Sequence, residues 1–99
     1  MKNLMGLLQE VKSYISPVVF YLVELPAMPS NKRHGWCGGG LCPFHDDCHP
    51  GSFKVNLTTG PFHCFTCGTS GTDIVAFTRL KYGLSFPVTL QKLADEWGI

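Results

Sequence analysis

Two short cysteine-containing motifs stand out in this chain because their spacing suits a metal ion. The first is Cys42-Pro43-Phe44-His45, and the second is Cys64-Phe65-Thr66-Cys67. Each motif places two ligands across a two-residue turn, which is the spacing that tetrahedral zinc needs. Pro43 fixes its own φ, and Gly68 can adopt the left-handed backbone that such a turn often requires. We therefore predict one structural Zn²⁺ held by Cys42, His45, Cys64 and Cys67, with no position left open for a catalytic water.

Other cysteines and histidines compete for the same ion. Cys48 and His49 are adjacent, so their side chains diverge in an extended segment, and His63 points to the strand face opposite Cys64. Cys37 lies close to the first motif and is the alternative ligand that spacing leaves open. Cys37 and Cys48 are otherwise ordinary thiols. A disulfide between them is a further alternative, although thiols beside a zinc site indicate a reducing compartment.

Length and charge limit the kind of domain that this chain can form. Its 99 residues include eight Lys and Arg and seven Asp and Glu, which gives a formal charge of +1. Three zinc-bound thiolates and Zn²⁺ bring this charge to zero, so binding to nucleic acid requires a local basic patch. A core of this size is marginal, and zinc contributes on the order of 10 kcal/mol or more to folding. Neither a secretory signal nor a membrane span is convincing, so we expect a cytoplasmic location.

Apolar periodicity predicts one helix before the zinc motifs and two after them. The apolar run 18–23 is consistent with either a short helix, which we favour, or a buried strand. Capping residues support the first two helices, because Asn and Ser accept hydrogen bonds from the first backbone N–H groups. Asn3 is the cap before the stripe 4–15, and Ser16-Pro17 precedes the apolar run 18–23. Asp73, a favourable negative charge at a helix N-terminus, precedes Ile74, Phe77 and Leu80, and the last helix starts near 85–87 before the stripe 90–97.

The segment between the zinc motifs reads as a β-hairpin. Apolar and polar residues alternate over 53–57, a turn follows at 58–61, and the chain returns through 62–64. We therefore predict an α+β fold in which a small zinc-ribbon-like antiparallel sheet is flanked by helices at both ends. This would be one domain over 1–99, with an additional N-terminal helix at 1–15, a zinc-binding core at about 32–83 and a C-terminal helix at about 86–97.

The zinc motifs and their surroundings resemble the zinc-binding (CHC2-type) domain of DnaG-type DNA primases from bacteria and phages. That family reads C-P-F-H, P-S-F-x-V and Y/F-H-C-F-G-C-G, where this chain has Cys42-Pro43-Phe44-His45, Pro50-Gly51-Ser52-Phe53-Lys54-Val55 and Phe62-His63-Cys64-Phe65-Thr66-Cys67-Gly68. The likeness continues through Gly71–Phe77 and Leu93–Ile99, and covers about residues 16–99. Gly51 splits P-S-F and Thr66 replaces the usual glycine, but neither departure removes a ligand. The resemblance implies the same four zinc ligands.

The resemblance also implies a function in DNA replication. Such a module contacts single-stranded template DNA and supports primer synthesis, while a separate domain polymerises. This chain shows no acidic cluster for polymerase metals, so we expect it not to be an enzyme on its own. The expected partners are single-stranded DNA and either the primase polymerase domain or a replicative helicase or initiator, and no membrane. The alternative is a zinc-stabilised interaction module that docks on a polymerase, helicase or initiator through the apolar face of 4–15 without binding DNA by itself.

Single-strand binding needs cations for phosphates and flat rings for bases. Two of the candidate rings have other interpretations. Phe62 is also consistent with a place in the core beneath the sheet, and His63 is also consistent with a simple hydrogen bond to the backbone. A redox sensor based on Cys37 or Cys48 is a further, weaker hypothesis, because nothing in the sequence lowers a thiol pKa. The candidate DNA contacts are Lys32, Arg33 and Lys54 as cations, and Trp36, Phe62 and His63 as stacking rings.

Overall fold

The computed structural model describes residues 3–28, 34–46 and 50–99. The described residues form an α+β fold in which two helices precede a small sheet and two follow it, as the sequence predicts. The elements are α1 (Leu4–Tyr14), α2 (Pro17–Glu24), β1 (Trp36–Gly38), β2 (Phe53–Asn56), β3 (Phe62–Cys64), β4 (Ser70–Gly71), α3 (Ile74–Tyr82) and α4 (Phe86–Trp97).

The strands form one antiparallel sheet with the order β1-β2-β3-β4. Strand alternation gives this sheet two distinct faces. Val55 pairs with Phe62 and both are buried, whereas Lys54 pairs with His63 and both are partly exposed. The hairpin of β2 and β3 confirms the prediction from alternation. Strands β1 and β4 are not predictable from the sequence pattern, because strands of three and two residues are too short to show a period.

Local capping explains where most of the helices begin. The Asn3 side chain accepts a hydrogen bond from the Gly6 N–H at 2.7 Å, and Asp73 accepts one from the Ala76 N–H at 2.8 Å. Ser16 is the residue before α2, but its side chain makes no capping hydrogen bond. Pro17 at the first helical position begins that helix instead, because its fixed φ suits the first turn.

Aromatic rings form the centre of the core, and Phe77 of α3 lies in their middle. The rings around Phe77 come from α2, from the first zinc motif and from both central strands, so one cluster joins the helices to the sheet. Ring centroids at 5.3 to 6.4 Å from that of Phe77 belong to Phe20, Tyr21, Phe44, Phe53 and Phe62.

Two sequence expectations about helix faces need correction. Leu80 of α3 was expected on the inner face with Phe77, but it is 51 % exposed. The apolar stripe of α1 was offered as a docking face, yet Val11 and Ile15 are buried in the same core and α1 packs against α4. The stripe therefore closes the domain itself, since a helix buries its apolar stripe against the nearest core.

Polar contacts fix α2 against the sheet and α3. The buried Tyr21 hydroxyl donates a hydrogen bond to the Gly60 carbonyl in the turn after β2, and burial raises the pKa of this phenol. The Glu24 carboxylate accepts hydrogen bonds from Lys81 Nζ and from the Tyr82 hydroxyl, both at 2.9 Å. In the part of the chain described here, no helix is long and apolar enough to cross a membrane.

Candidate metal centre and sheet face

Four predicted ligands converge at one end of the sheet. One ligand atom each from Cys42, His45, Cys64 and Cys67 lies within 4.8 Å of the other three. The Sγ atoms of Cys42 and Cys67 are 3.9 Å apart, and Cys64 Sγ is 3.9 Å from His45 Nδ1. With Zn–S bonds of about 2.3 Å and a Zn–N bond of about 2.0 Å, a regular tetrahedron has S···S edges of about 3.8 Å and S···N edges of about 3.5 Å. Both of these distances are close to the edges of such a tetrahedron, so the four side chains can hold a zinc ion.

Both ligand pairs are set by tight turns that point backbone N–H groups at sulfur. The Phe44 N–H donates to Cys42 Sγ at 3.4 Å, and the Cys67 N–H donates to Cys64 Sγ at 3.5 Å. Such bonds stabilise thiolates and orient them toward the metal. Gly68 has φ +79°, the left-handed conformation expected of it, and Thr66 is accommodated because its φ is not positive.

Cys42 and Cys67, which lie on opposite turns of the site, differ in the pKa of their thiols. Burial raises the pKa of Cys42 to about 12, so zinc must displace a proton from this sulfur at neutral pH. The Thr69 hydroxyl lies 3.2 Å from Cys67 Sγ, and its hydrogen bond together with that of the Thr69 backbone lowers the pKa of Cys67 to about 6. Cys67 is exposed and is already mainly thiolate at neutral pH.

The other cysteines and histidines take no part in this cluster where they are described. Cys37 is buried on β1 opposite Val55 and is not among the converging ligands, so its proposed substitution for a ligand is wrong. His63 lies on the outward face of β3, as alternation predicts. Cys48 and His49 lie outside the described residues, and the suggested Cys37–Cys48 disulfide lies there with them.

The outer face of the sheet gathers several of the predicted DNA contacts. Register aligns Gly38, Lys54, His63 and Ser70 in one row, and Trp36 stands two residues before Gly38 on the same face. A groove of about 760 Å³ lies on this face. Its lining includes Trp36, Gly38, Lys54, His63 and Phe65.

One ring of this groove, Phe65, was not predicted from the sequence, and one predicted ring, Phe62, borders the groove but is buried. Phe65 is 71 % exposed, and its ring centroid lies 4.4 Å from that of His63. A large apolar residue between two zinc ligands, outside the strand that precedes it, was the available signal. Phe62 is 1 % exposed and packs in the aromatic cluster, so its ring cannot stack on a base and the core alternative is correct. Trp36 is 49 % exposed, whereas Lys32 and Arg33 lie outside the described residues.

Fold and site together define a small zinc-binding domain with a closed Cys₃His centre. The chain matches the model of the CHC2 zinc finger family over residues 7–99 and belongs to that family. One structural Zn²⁺ on Cys42, His45, Cys64 and Cys67 is consistent with both findings.

Similar proteins are DNA primases that are much longer than this chain. The chain is 48 % identical over 60 residues to a DNA primase of Deinococcus radiodurans, a match covering 61 % of this chain and 10 % of the primase. It is 35 % identical over 94 residues to a DNA primase of Thermotoga maritima, covering 93 % of this chain and 15 % of the relative. A solved structure of the Aquifex aeolicus primase, with its zinc-binding and RNA polymerase domains, matches with a TM-score of 0.71 at 28 % identity. That match covers 99 % of this chain and 22 % of the Aquifex chain.

Proposed function

We propose that this domain binds single-stranded template DNA on the outer face of its sheet and so supports primer synthesis by a separate polymerase domain. The observation that carries the proposal is the meeting of Trp36, Lys54, His63 and Phe65 around one open groove. Exposed rings next to a cation are what a single strand requires, because bases stack on rings and phosphates pair with cations. Each stacked base contributes about 1–3 kcal/mol.

Zinc has a positioning role in this proposal. Phe65 lies between Cys64 and Cys67, so metal coordination on both sides fixes the turn that presents its ring. His63 directly precedes Cys64 on β3 and is held by the same coordination. Four protein ligands complete the tetrahedron and leave no place for an activated water, which supports a binding module that is not catalytic by itself.

The comparisons support the same division of labour. The relatives are named DNA primases, and this chain spans 10 to 15 % of the two described above. A polymerase domain, in the same or another chain, is accordingly the proposed partner. Docking without DNA binding is less well supported, because Val11 and Ile15 of the apolar stripe that suggested it are buried in the domain's own core, and Leu7 and Leu8 pack against that core.

Alanine substitutions of the exposed rings test the proposal directly. Trp36→Ala and Phe65→Ala should each weaken binding of zinc-loaded protein to a labelled single strand by about five-fold or more, since each removes a stacking surface. Val88→Ala is the matched control, because Val88 is an exposed apolar residue of α4 away from the groove. Equal affinity of all variants and wild type would show that the sheet face is not the binding surface.

A further inference from the structure

The three consecutive glycines that lead into the first zinc turn are not equivalent. A Cβ added to Gly39 would lie 2.5 Å from the Phe53 ring, so packing requires glycine there. Gly40 has φ +79°, and a Cβ on it would lie 3.0 Å from the Ala27 carbonyl oxygen. Backbone conformation and space both require glycine at this position.

Neither packing nor backbone conformation requires glycine at position 38. It lies in β1, its φ is outside the positive range, and a Cβ added to it would meet nothing within 4 Å. A glycine inside a strand weakens the strand, and it often marks a place where a ligand comes close to the backbone. The missing side chain would have pointed into the groove, in the row shared with Lys54 and His63.

The absent side chain leaves open space on the groove beside Trp36, which we call the Gly38 hollow. Trp36 stands two residues earlier on the same strand face, about 7 Å away along the strand. Atoms in contact are separated by about 3.5 to 4.0 Å, so the interval between Trp36 and Gly38 is wide enough for one planar ring to lie against the indole. Lys54 is the direct neighbour of Gly38 on β2 and brings a cation to the edge of the hollow.

We propose that the Gly38 hollow holds one unstacked base of a single DNA strand. The base lies over the bare backbone of Gly38 with its face on the Trp36 indole, and its phosphate pairs with Lys54. This inference rests on the proposed function and makes it more specific. It assigns base binding to a particular place on the sheet and assigns Gly38 as the residue that keeps the place open.

A substitution that fills the hollow tests the proposal. Gly38→Val adds a side chain that the backbone and the core can accept, and valine favours strands. Ser70→Val is the matched control, because Ser70 lies in the same outward row at the opposite edge of the sheet and does not line the groove. Zinc content and far-UV circular dichroism establish that each variant is folded.

The ligands are a labelled single strand and the same strand with abasic sites, which keeps the phosphates and removes the bases. We expect Gly38→Val to weaken binding of the intact strand about ten-fold, as loss of one stacked base would do. Binding of the abasic strand should be unchanged, and Ser70→Val should bind both strands like wild type. Equal weakening of both strands, or none of either, would overturn the proposal. If wild type binds neither strand even at low salt, the proposed function itself fails.

A fluorescence titration gives an independent check that does not depend on Gly38→Val. In a Trp97→Phe background, Trp36 is the only remaining tryptophan, since the chain has two. Stacking of a base on the indole should quench its emission with the intact strand and leave it unchanged with the abasic strand. Bound intact strand without quenching would contradict a base seated against Trp36.

Discussion

Substitution of Phe77 by alanine should expose how strongly the zinc turn and the helices depend on one core. The Phe77 ring is fully buried and contacts rings from α2, β2, β3 and the first zinc turn. Truncation of a buried phenylalanine costs about 3–5 kcal/mol, and a domain has about 5–15 kcal/mol of stability in total. A loss of 3 kcal/mol alone corresponds to a fall in Tm of about 12–24 °C for a domain of this size.

The same loss should appear in zinc binding, because zinc binds the folded state. If folding and zinc binding are fully coupled, 3 kcal/mol corresponds to a fall of roughly 100-fold in apparent zinc affinity. Urea unfolding at buffered free zinc and chelator competition measure the two quantities. Leu80→Ala, on the exposed side of the same helix, should change stability by no more than about 0.5 kcal/mol. A change below about 1 kcal/mol for Phe77→Ala would refute this view of the core.

Three further predictions concern protons, caps and charge. Zinc affinity should fall as the pH is lowered, because Cys42 must lose a proton to bind zinc. The fall should be steeper below about pH 6, where Cys67 also becomes protonated, and a slope that does not steepen in chelator titrations would count against these assignments. Asp73→Ala should lower the free energy of unfolding by about 0.5–2 kcal/mol, measured by thermal unfolding. Asp73→Asn should lower it little, because the amide oxygen still caps α3. Equal losses in the two variants would assign the effect to the ion pair with Lys12. Lys54→Gln should reduce the slope of log affinity for single strands against log salt concentration by about 0.7, and Lys92→Gln on α4 should leave this slope unchanged. The same slope for Lys54→Gln and wild type would show that Lys54 does not contact a phosphate.

Features with short-range causes were predictable from the sequence. The zinc ligands come in two pairs, each set by a two-residue turn, so their spacing favours Cys42, His45, Cys64 and Cys67, and the structure brings these four together. The start of α1 at Asn3 depends on a hydrogen bond to an N–H three residues later. The β2–β3 hairpin follows from alternation over only a few residues.

Features that depend on packing between distant segments were not predictable. Strand β1 exists only because its residues pair with β2, and its three residues carry no period of their own. The sequence does not show which face of the sheet carries Phe62. Its pairing with Val55 in the sheet puts its side chain on the core face. The exposure of Leu80 also depends on packing between distant segments. Helix periodicity identifies the apolar face of α3, but it does not show how much of that face the neighbouring elements cover.

The most direct test of single-strand binding by this zinc-held sheet is fluorescence anisotropy with labelled single-stranded and duplex DNA. Titrations of zinc-loaded protein at low and moderate salt should show tighter binding to the single strand, weakening as salt rises. Removal of zinc with a chelator should abolish this binding, because Phe65 and His63 lose the coordination that positions them. Equal binding to duplex, binding that survives zinc removal, or no binding even at low salt would contradict the account.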